Sequence, residues 1–184
     1  MTRIPFLFIS IIVVVFILLS GCVSSQENKI LGEVGGESKD TEPAYRSLGD
    51  AIGSALALDD IEAVVPEKEF YYIKGTGIQI DATAREWMLG MKQGNETFFY
   101  VVNKWGGTKV PWSRQFQYEE IPIYYIKYPE ELFIEKPLLI QDLTDGGTRE
   151  IDEIELIDET YILTTETNRG FFEYRFNAYT GIET

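Results

Sequence analysis

The chain has no histidine and a single cysteine, Cys22. Without an imidazole, the serine triads and cysteine–histidine pairs that use one as a base are excluded. One thiol makes no intrachain disulfide, and zinc, haem, copper and iron–sulfur sites are left without their nitrogen and sulfur ligands. No cofactor is therefore expected, while carboxylate chemistry and hard-cation binding stay open. Basic residues are also scarce: 16 Lys and Arg face 30 Asp and Glu, for a formal net charge of -14. So acidic a surface repels phosphate backbones and anionic headgroups, and neither nucleic acid nor a polybasic-type membrane contact is expected of it.

What the chain does have is a marked beginning. Arg3 precedes an uncharged, largely apolar run over residues 5–19, and Leu19-Ser20-Gly21-Cys22 closes it with small residues ahead of the cysteine. A positive start, an apolar middle and small residues before a cut describe an export signal. Leu19, Ser20, Gly21 and Cys22 resemble the lipobox of prokaryotic lipoproteins, bacterial or archaeal. The resemblance implies that Cys22 becomes the new N-terminus and carries a lipid on its sulfur. The other reading is an uncleaved anchor, because residues 4–23 are nearly all apolar and roughly 20 such residues span the hydrocarbon core. Lipidation also explains why the sole cysteine stands where it does. Under either reading the Arg3 end stays cytoplasmic and the bulk of the chain faces outward from the cell membrane.

The chain then divides into residues 1–21 as leader, 22–43 as tether and 44–184 as an extracytoplasmic domain of α+β class. The tether is rich in Ser, Gly and polar residues with few large apolar ones, a composition that cannot repay the entropy of ordering. Thr41-Glu42-Pro43 has the form of a helix start, and Tyr45, Leu48, Ile52, Ala55 and Leu56 follow at helical spacing, which predicts a helix ending near Leu58. A short element at 61–65 is cut off by Pro66. From residue 69 onward β-prone residues dominate, with a bent strand or tight pair expected around Gly75-Thr76-Gly77. Residues 82–92 fit a helical stripe, yet Gln93-Gly94-Asn95-Glu96 before Thr97-Phe98-Phe99-Tyr100 reads as a turn, so a hairpin pairing 86–92 with 97–104 is predicted. Asn95-Glu96-Thr97 is a glycosylation sequon, placed at that hairpin's tip.

Pro122, Pro129 and Pro137 leave no room for a long helix over 121–139, which is expected as short edge strands and loops with 123–126 the best strand. The last third reads as three antiparallel strands: 151–157, a turn at Asp158-Glu159, 161–167, a turn at Asn168-Arg169-Gly170, and 171–176. In Phe172-Glu173-Tyr174-Arg175-Phe176 aromatics and charges alternate, giving one buried and one solvated face. The whole is a helix packed on a mainly antiparallel sheet.

Tyr174-Arg175-Phe176-Asn177-Ala178-Tyr179-Thr180-Gly181 resembles the closing strands of PepSY-type domains, which end in an Asp-Ala-x-Thr-Gly turn; Asn177 replaces the aspartate, and Ala178, Thr180 and Gly181 match. The alanine-rich helix that precedes those strands in such domains is missing here, because Pro129 and Pro137 occupy its place. The resemblance implies a non-catalytic binding or inhibitory role outside the membrane, with an envelope protein or peptide as partner, and it carries over no catalytic residue.

Three further features could carry chemistry. Asp142, Asp145 and Glu153 partly follow the spacing of a calcium loop, but Thr144 and Gly146 fall where ligands belong. Adjacent acids at Glu119-Glu120, Glu130-Glu131 and Asp158-Glu159 point to opposite faces of any strand, so a carboxylate-based glycoside hydrolase would need acids from separate segments. Three tryptophans and eleven tyrosines suit a core, or a carbohydrate-binding surface if their faces are exposed. The expectation is a membrane-anchored, non-catalytic binding or modulatory module, with a glycoside hydrolase or a carbohydrate-binding envelope protein as the alternatives.

Overall fold

The computed structural model describes residues 45–58 and 67–184. The leader with Leu19, Ser20, Gly21 and Cys22, the tether, and the element expected at 61–65 lie outside those residues. Seven strands form one sheet: β1 (Lys68–Ile78), β2 (Ala84–Gln93), β3 (Glu96–Asn103), β4 (Gly106–Trp112), β5 (Ile151–Ile157), β6 (Thr160–Thr167) and β7 (Gly170–Asn177). Their order is β4-β3-β2-β1-β5-β6-β7, and every neighbouring pair is antiparallel. Two meanders thus lie side by side, joined where β1 pairs with β5. The architecture is α+β, as the residue pattern predicts.

Tight turns set the registers. Lys92 faces Thr97 and Glu86 faces Asn103, so the predicted hairpin is present and Asn95 sits in its turn beside Gly94 at φ 58. The Asp158-Glu159 turn holds both residues at positive φ, 43 and 64, the mirror-image geometry that matches strand twist. Asn177 ends the meander as a turn residue: its Oδ1 accepts from the N–H groups of Tyr179 (3.1 Å) and Thr180 (3.0 Å).

The three helices among the described residues are short. In α1 (Leu48–Leu56) the start lies at Ser47, whose hydroxyl accepts from Asp50 N–H at 3.0 Å. Tyr45 and Arg46 precede the helix, contrary to the sequence expectation; Arg46 pairs with Ala84 as an isolated β-bridge. At the other end the Lys68 ammonium donates to the carbonyls of Ala55 (3.2 Å), Leu56 (2.6 Å) and Leu58. This places a cation on the negative end of the helix dipole.

The larger correction concerns 121–143. Residues 121–126 are loop and turn, not strand, and two helices follow: α2 (Pro129–Glu135) and α3 (Pro137–Leu143). Each proline stands in the first turn of its helix, where a missing N–H costs nothing and a fixed φ helps. Prolines eight residues apart therefore start two short helices where they forbid one long one.

The core lies on one face of the sheet. Trp87, Leu89, Met91, Phe98, Ile154, Leu156, Tyr161, Leu163 and Phe176 cluster with Leu48, Ile52 and Ala55 of α1, Leu132 and Phe133 of α2, and Ile140 and Leu143 of α3. Each fully buried Leu, Ile or Phe contributes about 1.5–3 kcal/mol. The opposite face carries no helix among the described residues, and there a different arrangement is built.

Candidate functional site: an aromatic groove beneath a strap

The groove begins with a bulge in β1. Phe70 pairs with Met91 and Tyr72 with Gly90, leaving Tyr71 as an extra residue. Consecutive side chains on a regular strand point to opposite faces; the bulge re-aims one of them. Tyr71 and Tyr72 both reach the outer face, where each meets an aromatic from residues 113–120, a strap that crosses this face after β4. Tyr71 stacks on Phe116 (centroids 5.7 Å, 11°) and Tyr72 on Tyr118 (6.0 Å, 22°). Phe99 of β3 meets Phe116 edge-on at 5.4 Å and Trp112 at 5.2 Å.

Three donor groups fix the strap. The Thr97 hydroxyl lies 2.6 Å from the Trp112 carbonyl oxygen and 3.0 Å from that of Arg114. Glu119 N–H donates to Asp158 Oδ1 at 3.1 Å, and Ile121 N–H to the Phe70 carbonyl at 2.6 Å. Gly90 clears the floor: a Cβ there would stand 2.8 Å from Phe116 Cε1 and 2.8 Å from Tyr72 Cβ. Glycine inside a strand often marks such a close approach.

Two cavities open on either side of Phe116. One, of about 430 Å³, is lined by Tyr72, Met88, Phe99, Trp112 and residues 114–118. The other, of about 380 Å³, is lined by Tyr71, Lys92, Asn95, Thr97 and residues 113–116. No carboxylate lines either one. Acids lie just outside: Tyr72 Oη donates to Glu155 at 2.7 Å, and Lys74 pairs with Glu153 at 2.8 Å and Glu155 at 3.5 Å. Burial and the Glu155 bond push the Tyr72 phenol well above its ordinary range. The bond to Glu69 pushes the Tyr71 phenol up to about 12. Both rings therefore stay neutral donors at any physiological pH.

The sites expected from sequence fare differently. Asn95 is at the hairpin tip as predicted, on the rim of the smaller cavity, and the hydroxyl of its sequon partner Thr97 holds the strap. The calcium candidates are not brought together: Asp142 bonds Arg169 at 2.8 Å, Asp145 sits at φ 50 in the turn after α3, and Glu153 pairs with Lys74 on the outer face. The chain over 142–147 closes back onto helix α3, with Gly146 N–H donating to the Gln141 carbonyl at 2.7 Å, so it forms a helix terminus instead of a ligand loop. Among the described residues no group of three or more His, Cys, Asp or Glu could hold a metal ion. Nor is any helix among them long and apolar enough to cross a membrane.

Two other clefts contain acids. Glu150 and Asp152 line a shallow one of about 440 Å³, but their oxygens are engaged: Glu150 accepts from Tyr45 Oη (2.5 Å), Gln79 Nε2 (3.0 Å) and Arg85, and Asp152 from Glu166 N–H (2.6 Å). Glu130 lines an apolar cleft of about 290 Å³ with Asp81, Ile80, Phe133 and Ile134. Its Oε2 is buried without a partner. Burial raises its pKa above the usual carboxylate value, a backbone hydrogen bond offsets part of this, and Asp50, Glu131 and Asp81 add repulsion.

The sign of that shift gives a prediction. With a folded pKa above the unfolded one, the protonated Glu130 supports the fold fully below about pH 4 and loses that support as pH rises through the folded value. Glu130→Gln is expected to raise the melting temperature at pH 7 and leave it unchanged near pH 4. Thermal unfolding at the two pH values checks this, and equal shifts at both would refute it.

Against known proteins the chain matches no family model, and no curated protein and no solved structure gives a significant match.

Proposed function

We propose that the chain is a lipid-anchored lipoprotein whose α+β domain, held outside the membrane by the segment 22–43, is a non-catalytic binding module. The observation that carries the reading is the pair of cavities beside Phe116: sized for a ligand, walled by aromatic rings, and free of the carboxylates that hydrolysis would require. The leader pattern ending at Cys22 supports the anchor. The β5–β7 meander closing in the Asn177 turn supports the PepSY-type resemblance, while two short helices, α2 and α3, stand where such domains have one helix and where the prolines predict none. A glycan on Asn95 would stand at the mouth of the smaller cavity.

The test has two readouts on the full chain expressed in a lipoprotein-processing host. Wild type is expected to partition into detergent and incorporate labelled fatty acid, and Cys22→Ser to lose the label. An equal label on both would overturn lipidation at Cys22. In the same preparations no reducing ends are expected from purified envelope polysaccharide. Release by wild type that Glu130→Gln abolishes would establish the second reading, a carboxylate hydrolase using Glu130 and Asp81, which the raised Glu130 pKa favours.

A further inference from the structure

We infer that the ligand of the aromatic groove is an acidic glycan, a chain of uronic-acid sugars whose carboxylate is received by Arg114. The inference rests on the reading of the groove as a binding site. Arg114 lines both cavities and so stands where a ligand passing Phe116 would meet it. The other described arginines are each engaged: Arg46 with the Asn103 carbonyl, Arg85 with Glu150, Arg149 with the Glu166 carbonyl, Arg169 with Asp142 and Arg175 with Glu173. Among the described residues, the Arg114 guanidinium alone of the arginines makes no hydrogen bond or ion pair.

In a chain with 30 acids, a site with no acid in its lining and an exposed, unengaged arginine bordering both cavities is complementary to an anion. Guanidinium takes a carboxylate through two parallel hydrogen bonds.

The rest of the lining selects sugar over peptide. A bound peptide strand draws affinity from backbone hydrogen bonds at a sheet edge. Here the groove lies on a face, above β1, β2 and β3, whose backbone groups are already spent in their ladders. What the face offers is ring surface from Tyr72, Trp112 and Tyr118 and side-chain amides from Gln115 and Gln117. Flat rings suit the C–H faces of a pyranose, and amides suit its hydroxyls. Lys92, the other cation of the lining, is already paired with Glu69 at 2.9 Å, and a single unengaged cation fits one carboxylate per sugar better than a dense run of phosphates.

The full chain in detergent micelles is titrated calorimetrically with trigalacturonate, with neutral cellotriose and with hexaglutamate, while tryptophan emission is followed. Trigalacturonate is expected to bind, to shift the emission through Trp112, and to weaken about tenfold or more in Arg114→Gln, since a hydrogen bond to a charged group is worth about 1.5–3 kcal/mol. Arg114→Lys should recover part of the loss, and circular dichroism checks that both variants fold. Cellotriose binding as tightly as trigalacturonate and equally well to Arg114→Gln would overturn the acidic-glycan assignment and keep the groove as a binding site. Binding of hexaglutamate in place of trigalacturonate would overturn it in favour of an acidic peptide. Binding of none of the three overturns it as well. The reading of the groove itself then falls too if total envelope extract fails to protect the Arg114–Gln115 bond from trypsin.

Discussion

Trp87→Ala is expected to lower the unfolding free energy by about 3–5 kcal/mol, the range for deleting a large aromatic from a packed core. Trp87 is fully buried and fits against Gly75, where a Cβ would come within 2.6 Å of its Cζ3. The surrounding strands are paired on both sides, so the space it leaves collapses little. Its indole N–H also donates to the Arg46 carbonyl at 2.8 Å, the same oxygen that accepts from Ala84 N–H at 2.9 Å. The tryptophan thus fastens the segment that leads into α1. Trp87→Phe keeps most of the volume and loses that bond, at an expected cost of about 1–2 kcal/mol. Urea unfolding measures both. A loss below about 1 kcal/mol for the alanine variant would contradict the packing described for this residue.

Gly90→Val should act on the other face and leave the core intact. The added side chain points at Phe116 and Tyr72, and Phe116 belongs to a strap held by few bonds, so the strap yields first. Overpacking of this kind costs about 1–3 kcal/mol, here concentrated on local opening of residues 113–120. Arg114 and Gln115 are already exposed, but a protease needs the backbone free of the strap's contacts; opening frees it, and cleavage tracks the open population when opening is fast. Trypsin is therefore expected to cut there roughly ten- to a hundredfold faster in Gly90→Val, with the melting temperature moving far less than in Trp87→Ala. Unchanged cleavage would show that Phe116 does not rest on Gly90.

The meander β5–β7 and the hairpin β2–β3 were legible because their information is local: alternation with period two and a glycine or acid-rich turn between. Strand β4 was not legible, since Gly106-Gly107 and Pro111 argue against a strand. It exists as an edge, where proline is tolerated, and Gly107 is needed because Tyr100 Oη would lie 1.8 Å from a Cβ there. The helices α2 and α3 were not legible because a proline that breaks one long helix has the same place in the sequence as a proline that starts a short one.

The groove was hidden for a further reason. Its rings come from residues 71, 72, 99, 112, 116 and 118, and only the sheet order brings them together. Two signs were nevertheless present: Gly90 within a strand, and Phe116-Gln117-Tyr118 alternating without a partner strand. The calcium spacing misled because helix termini and ligand loops share the same small and acidic residues.

The bulge at Tyr71 makes the groove a matter of chain length as much as of side-chain chemistry. Deleting that one residue would restore unbroken pairing between β1 and β2, leave Phe70 opposite Met91, and remove one of the three rings, Tyr71, Tyr72 and Phe99, on which the strap rests. A single codon thus separates a plain sheet face from an aromatic groove. Loss or gain of such a groove on this scaffold needs no change to the interior that holds it up.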